Sequence, residues 1–323
     1  MKESSETTLG LERVNLSVTK FCNLHCRMCD FKKIHRPVRN FSLDTVKTII
    51  KEMAALGAKV LEISGGEPMT RKDIYEIITF AHSFGLKVAM MTNGVLIGPA
   101  EADKLLKAGL TSVTFSLEGP EQLNDQLRGR GNFQKTLRAI ASFLNHPNSA
   151  EINVEIGITL SKYNYSLIVS FAKYLFEEVK VNSIAINPFN AGMLDTKNQR
   201  TRESEFIITA DLIPDLTKVV EELIEYGKVA PGKLPSPNYL GKIPDYFMGK
   251  KLIPANGCQI PMSHCGVTVN GWVFSCWQNP PLGNLKDASL TEILTSETQR
   301  KLSELALAGK CKGCLSSCFA EIH

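Results

Sequence analysis

No stretch of this 323-residue chain approaches the ~18 consecutive apolar residues that a membrane-spanning helix requires. The opening residues, MKESSETTLGLERVNL, lack the apolar core of a secretory signal. A dominant charge is missing too: 37 basic and 33 acidic residues are spread along the chain for a net +4. That balance speaks against a nucleic-acid or membrane partner. There is no internal repeat and no low-complexity tract. The sharpest absence is cysteine between Cys29 and Cys258. All nine cysteines lie in two groups, three within the first thirty residues and six after residue 257. The chain is therefore expected to be cytoplasmic, where disulfides are rare, so grouped thiols point to metal binding or catalysis. Cysteines serving only as small core residues would not segregate in this way.

What is present is an ordinary globular composition, 43 % hydrophobic, long enough for one large domain and a small one. Strand-like runs are predicted at 12–19, 59–64, 87–92, 111–117, 152–160 and 182–187. Helical patterns intervene at about 43–56, 71–84, 100–108, 133–145 and 165–178, and another follows at 211–227. In the first helix Leu43, Val46, Ile49, Ile50, Met53 and Leu56 share a face, with Ser42 as N-cap. Gly57 and Gly85 stand where helices should stop. Alternating strands and helices read as a parallel α/β domain, since parallel neighbours need crossovers. Alternation alone does not decide between an open sheet and a barrel. Residues 1–227 form the expected large domain and 228–256, rich in Pro, Gly and Lys, the linker. Residues 257–323 form the small cysteine-rich domain. There, residues 266–275 alternate about Asn270-Gly271 as a hairpin, and Ser289 with Glu292 begins a helix expected to reach about Leu307.

Cys22, Cys26 and Cys29 have C-x3-C-x2-C spacing on the loop after the first predicted strand. Three thiolates on one loop can hold three irons of a [4Fe–4S] cluster and leave the fourth open to a small molecule. The alternative is a zinc site completed by His25 or a distant residue. The second predicted strand runs into Gly65-Gly66-Glu67-Pro68. Glycines there permit close backbone approach, and a carboxylate with carbonyls can receive an ammonium; an ordinary turn would look alike.

With the triad after the first strand, Met28 before its third cysteine and this Gly-Gly-Glu-Pro loop after the second, the chain resembles the radical S-adenosylmethionine (SAM) superfamily over essentially its whole length. The resemblance implies a partial (β/α)6 TIM-like barrel, with its site at the C-terminal strand ends as in full barrels. It implies that the open iron of the cluster chelates SAM and that reductive cleavage yields a 5′-deoxyadenosyl radical. That radical abstracts hydrogen from the substrate. The resemblance further implies cofactor-binding roles for Gly65, Gly66, Glu67 and Pro68, for Asn93, for Ser116 and Glu118, and for Arg128 in LRGRGNF. Thr159 and Asn187 resemble adenosine-side positions. Glu118-Gly119 stands where the family often has Asp-Gly, and an arginine fork suits the cofactor carboxylate. An electron donor such as flavodoxin or ferredoxin is implied as a partner.

Cys258, Cys265 and Cys276, then Cys311, Cys314 and Cys318, with Gly271-x4-Cys276 and a C-x2-C pair, resemble a shortened SPASM/twitch domain. That resemblance implies at least one auxiliary [4Fe–4S] cluster, with Cys265, Cys276, Cys311 and Cys314 the core four by motif. Cys258 and Cys318 could substitute, and a spare cysteine could donate hydrogen to a substrate radical. A zinc ribbon is the other reading. The expected substrate is a small molecule of carbohydrate or aminocyclitol type, undergoing dehydrogenation or epimerisation. A small peptide undergoing epimerisation, thioether or carbon–carbon crosslinking is the alternative. A non-catalytic zinc-binding interaction protein, or action on protein or tRNA, belongs to other classes; the modest charge speaks against tRNA.

Overall fold

The computed structural model describes residues 10–29, 40–190 and 205–315. Six strands, β1 (Arg13–Thr19), β2 (Val60–Gly65), β3 (Lys87–Thr92), β4 (Leu110–Ser116), β5 (Asn153–Leu160) and β6 (Ser183–Pro188), pair parallel in sequence order. Helices α1 (Leu43–Ala55), α2 (Ile74–Ser83), α3 (Pro99–Lys107), α4 (Glu121–Arg128), α5 (Asn132–Leu144) and α6 (Ile168–Tyr174) fill the crossovers. The architecture is the expected partial barrel. β2, β3, β5 and β6 bury alternate residues: on β5, Val154, Ile156, Ile158 and Leu160 are buried while the residues between them stay half-exposed or exposed. The buried set packs outward against the helices, whose own apolar faces complete one core (Val46, Ile50 and Met53 of α1; Ile74, Ile77 and Ile78 of α2). The other set faces the lumen.

Local signals act where the sequence places them. Ser42 Oγ accepts from Thr45 N at 3.1 Å, capping α1, and Gly57 and Gly85 leave α1 and α2 at φ +90° and +75°. One element escapes the pattern: α4 buries only Asn124 and Leu127, too few apolar residues to announce a helix, yet it ends on Arg128.

The chain continues through α7 (Ile213–Gly227), α8 (Pro237–Gly241) and α9 (Ile243–Phe247). The stretch 228–256, expected as a linker, is packed along β6. Lys233 O accepts from Ile184 N at 2.8 Å, and the buried Tyr239 donates through its hydroxyl to Ile186 O at 2.9 Å. Its short helices start at Pro237 and Ile243, too brief to show periodicity.

After α10 (Ile260–Ser263), strand β7 (His264–Val267) pairs parallel with β1, Cys265 opposite Val14, and adds to the barrel sheet. β8 (Trp272–Phe274) and β9 (Gly283–Asn284) follow antiparallel, giving the order β6-β5-β4-β3-β2-β1-β7-β8-β9. The hairpin differs from a two-residue Asn-Gly turn. Thr268 and Trp272 close a three-residue loop, Thr268 N donating to Trp272 O at 2.9 Å, with Gly271 at φ +88° in the left-handed position such loops need. The helix expected to run from Ser289 to Leu307 is two, α11 (Leu290–Leu294) and α12 (Glu297–Leu307). Ser289 and Glu292 cap the first as a reciprocal box; Ser296 caps the second by accepting from Gln299 N, interrupting the run.

Gly257 sits at φ +76° where an added Cβ would lie 2.0 Å from Leu307 O. Both the backbone region and the contact exclude a side chain. Gly257→Ala is expected to cost more than about 1 kcal/mol in urea unfolding; an unchanged midpoint would show that Cys258 does not need this seat against α12.

Candidate active site

At the C-terminal end of the barrel the triad loop is tied to three neighbouring strand ends. Gly66 N and Glu67 N donate to Thr19 O and Phe21 O, each at 2.7 Å. A Cβ would meet Thr19 O at 2.4 Å from Gly65, which sits at φ +126°, and Phe21 O at 2.2 Å from Gly66. Both glycines are thus required by the approach of the triad loop's own backbone. Arg27 N donates to Leu127 O at 2.8 Å, fixing the loop to α4. Cys22 and Cys26 are half-buried and Cys29 is exposed. Burial pushes the Cys26 thiol up to about 11, against the pull of Arg128 and with the neighbouring Cys29 and Cys22 adding to the rise.

Glu67 is 1 % exposed and already engaged. Its Oε1 accepts from Thr92 Oγ1 at 2.8 Å and Met69 N at 3.1 Å, and its Oε2 from Asn93 N at 2.8 Å. Burial raises its carboxyl above the usual range, with these donors pulling the other way. Asn93 passes the tie on, donating through Nδ2 to Asn23 Oδ1 at 2.8 Å and towards Cys22 Sγ at 3.9 Å. Pro68 opens the short 3₁₀ turn that follows. These residues brace the strand ends and do not line the central cavity.

Glu118 and Arg128 form a buried ion pair, with Nε donating to Oε1 at 3.0 Å. The second Glu118 oxygen accepts from Thr159 N at 2.9 Å, and Asn164 Nδ2 donates to Glu118 O at 2.9 Å. Burial disfavours the Arg128 charge, but Glu118 and Cys26 outweigh it and hold its pKa above the ordinary value. Its remaining Nη1 lies 3.9 Å from Cys26 Sγ. Arg128, Ser116, Thr159 and Asn187 all line a cavity of about 810 Å³ that fills the lumen. Thr159 and Asn187 are register partners across β5 and β6.

Cys276 and Cys314 line the same cavity from the C-terminal domain. Burial raises the Cys276 thiol to about 11; a backbone donor at Gln278 opposes this, while Cys314, Cys258 and Cys311 add to it. Cys258 is likewise raised, chiefly by burial, and senses Cys314 and Cys311. Cys258 and Cys276 therefore lie within electrostatic reach of Cys311 and Cys314. Cys265 is not among them. Its β7 neighbours His264 and Gly266 line the lumen, so Cys265 points the other way, into the apolar core beside Val14, and burial alone lifts it to about 12. Strand parity thus sets Cys265, expected among the core four, apart from the cysteines that Cys258 senses. Cys318 lies outside the described residues. The missed signal is the hairpin's own alternation, which puts Cys265 out of phase with the lumen.

Among the described residues no three His, Cys, Asp or Glu side chains converge closely enough for one metal ion. Three thiolates on the triad loop suit a four-iron cluster with one open iron, and the C-terminal cysteines can supply the four that a closed cluster takes. Cys258→Ala and Cys276→Ala are each expected to lower iron by about four per chain after anaerobic reconstitution, and Cys265→Ala to leave iron unchanged. Loss of iron on Cys265→Ala, with Cys258→Ala intact, would reverse the assignment.

Comparison with known proteins agrees with this geometry. Residues 16–175 match the radical SAM superfamily and residues 258–315 the iron–sulfur cluster-binding SPASM domain. The chain is 30 % identical over 317 residues to the AdoMet-dependent heme synthase of Methanosarcina barkeri, covering 92 % of this chain and 86 % of that one. Some other curated relatives are matched over about two-fifths of their length. SuiB of Streptococcus suis, solved with its precursor peptide SuiA, aligns with a TM-score of 0.71 at 18 % identity over 94 % of this chain and 72 % of that one. Native anSMEcpe, solved with AdoMet and the Cp18Cys peptide, aligns with a TM-score of 0.68 at 16 % identity, over 91 % of this chain and 83 % of that one. A barrel that carries three cysteines on the loop after its first strand and brings Cys276 and Cys314 to its lumen, in a chain matched almost end to end, belongs to the radical SAM superfamily and carries a C-terminal SPASM iron–sulfur domain.

Proposed function

We propose that this radical SAM enzyme abstracts hydrogen from a peptide held in the barrel lumen, as a peptide-modifying maturase. The observation that carries the reading is the single cavity running from Arg128, Thr159 and Asn187 to Cys276 and Cys314. When bound, the triad cluster and SAM supply a hydrogen-abstracting radical, and an auxiliary cluster supplies a one-electron acceptor.

In this reading Cys22, Cys26 and Cys29 hold the first cluster, and Cys258, Cys276, Cys311 and Cys314 an auxiliary one. Arg128, steadied by Glu118, offers its remaining Nη1 to the cofactor carboxylate. Because Glu67 is buried, bonded to three protein donors and off the cavity lining, the ammonium falls to backbone carbonyls of the Gly65–Pro68 loop. Glu67 and Asn93 then act as positioning residues. Ser116, Thr159 and Asn187 face the adenosine side. Exposed Cys29 gives a flavodoxin or ferredoxin a short path to the cluster. Cys265, turned from the lumen, is no hydrogen donor.

A peptide displaces the carbohydrate or aminocyclitol expected from sequence because SuiB and anSMEcpe were both solved with peptides. A second reading, a tetrapyrrole substrate, is favoured by the relative matched along nearly the whole chain, a heme synthase. Against it, a carboxylate-bearing tetrapyrrole would meet Glu155, which forms no ion pair among the described residues, in the same lumen.

Reconstituted anaerobically with dithionite and SAM, the protein is expected to form 5′-deoxyadenosine, and Cys26→Ala to form none. Peptides are expected to raise that yield and acquire a mass change; stimulation by iron coproporphyrin alone would sink the peptide reading. Glu67→Gln puts an NH₂ group against buried donors, so it is expected to cost about 1–3 kcal/mol and to lower 5′-deoxyadenosine yield. Unaltered yield and melting would remove Glu67 from the brace.

A further inference from the structure

The lumen is not packed as a closed barrel's interior is. Layers of bulky branched side chains fill a full (β/α)8 barrel. Here Ala89, Gly157, Ala185 and Gly266 face inward and leave the cavity open. Its polar groups divide into two levels. Ser116, Thr159, Asn187 and Arg128 lie towards the C-terminal strand ends, and the reading above assigns them to the cofactor. Glu155 lies four residues before Thr159 on β5, about 13 Å down the strand, at a depth that only a long side chain or an extended chain end would bridge.

Glu155 is held between two register partners, Thr114 of β4 and Ser183 of β6. Its Oε1 accepts from Thr114 Oγ1 at 3.0 Å and its Oε2 from Ser183 Oγ at 3.2 Å. Both donors are neutral. Among the described residues Glu155 forms no ion pair. The neighbouring charges are matched to each other: Arg13 Nη1 lies 2.6 Å from Glu62 Oε1, and Asn15 Nδ2 donates to Glu62 Oε2 at 3.3 Å. Glu155 is the odd charge of the floor. Burial raises its carboxyl above the ordinary range; the two hydroxyls lower it, Glu62 raises it and Arg13 lowers it. A half-buried carboxylate without a cation is costly to a fold, and an aliphatic residue would close the floor at less cost. Its two hydroxyls fix the carboxyl plane while each oxygen keeps a second acceptor site.

We infer that Glu155 is a recognition subsite for a cationic group of the substrate, an ammonium or guanidinium such as a lysine or arginine side chain. The inference rests on the peptide reading and adds a sequence requirement to it. The cation reaches the floor between β4 and β6, and the carbons nearer the peptide backbone stay beside the cofactor level. Glu155 fixes depth and residue choice, and Arg128 fixes the cofactor.

The test is a competition on the cluster-reconstituted, SAM-loaded protein. Pooled heptapeptides identical except for lysine, arginine, Nε-acetyl-lysine, norleucine or glutamate at one position are retained by the protein and counted by mass spectrometry. Wild type is expected to retain lysine and arginine peptides at least about tenfold over the norleucine and acetyl-lysine ones, a factor within reach of one buried charge pair. Glu155→Gln is expected to bring that ratio towards one, and Glu155→Asp to preserve it. If norleucine competes equally in wild type, the subsite is overturned and the peptide reading stands. A lysine preference that survives in Glu155→Gln overturns the assignment to Glu155. Retention of no peptide overturns both. Should the glutamine variant not fold, the lysine and acetyl-lysine pair on wild type still decides whether a positive charge is required.

Discussion

The parallel pairing of β7 with β1 is the contact on which the rest of the molecule depends. It covers the edge that β1 would otherwise present as a row of unpaired backbone groups. It also transmits the barrel's inside–outside alternation to the C-terminal domain. With Arg13 opposite His264 and Asn15 opposite Gly266, alternate β7 residues inherit the lumen. The hairpin that follows carries Cys276 and Trp277 to the cavity wall. A slip of one residue would turn Cys265 inward and move Gly266 away from the Trp277 ring, which lies only 2.4 Å from where a Cβ on residue 266 would be. The seam therefore decides which thiols reach the lumen and which thiol is merely core.

Much of the fold was legible in the sequence because the strands separate their two faces cleanly. Val154, Ile156, Ile158 and Leu160 announce a strand by period, and α1 announces itself by its apolar face and Ser42. The triad and the Gly-Gly-Glu-Pro loop were legible because each combines rare residue types at fixed spacing directly after a strand. What stayed hidden has physical causes. Helix α4 carries one buried leucine on a polar surface, so periodicity passes over it although it positions Arg128. The segment 228–256 packs through isolated residues, Tyr239, Leu240 and Ile243, on turns too short to repeat. Spacing identified six C-terminal thiols but could not tell inward from outward, and motif logic alone kept Cys265 and undervalued Cys258.

The same distinction divides residues that hold the site together from residues that face what enters it. Glu67, Asn93 and Glu118 carry charge or amide groups that a motif assigns to the cofactor. Each is nonetheless buried and bonded to the chain itself, Glu67 to β3, Asn93 to the triad loop and Glu118 to Arg128 and β5. Three loops from different strand ends converge on the triad. Each carries polar backbone groups that would otherwise be buried unpaired. The buried carboxylates meet that demand and preset the loops. The open contacts, carbonyls, Nη1 of Arg128 and small polar strand ends, remain for the ligand.

A hollow lumen changes where stability resides. In a filled barrel both faces of each strand contribute apolar burial. Here the outer face supplies it, through Val14, Leu16, Leu61, Ile63, Val88, Val113 and Ile156 against the helices, while the inner face carries serine, threonine, asparagine, glycine and charged residues. Substitution inside the lumen then costs little core packing, whereas the same change on the outer face opens a cavity against a helix. The inner face is free to diverge with substrate while the outer face holds the barrel. Relatives can therefore keep the triad and the strand order and still differ in what they bind. The residues that differ should be those, like Glu155, whose side chains meet the cavity and whose removal leaves the sheet-to-helix core intact.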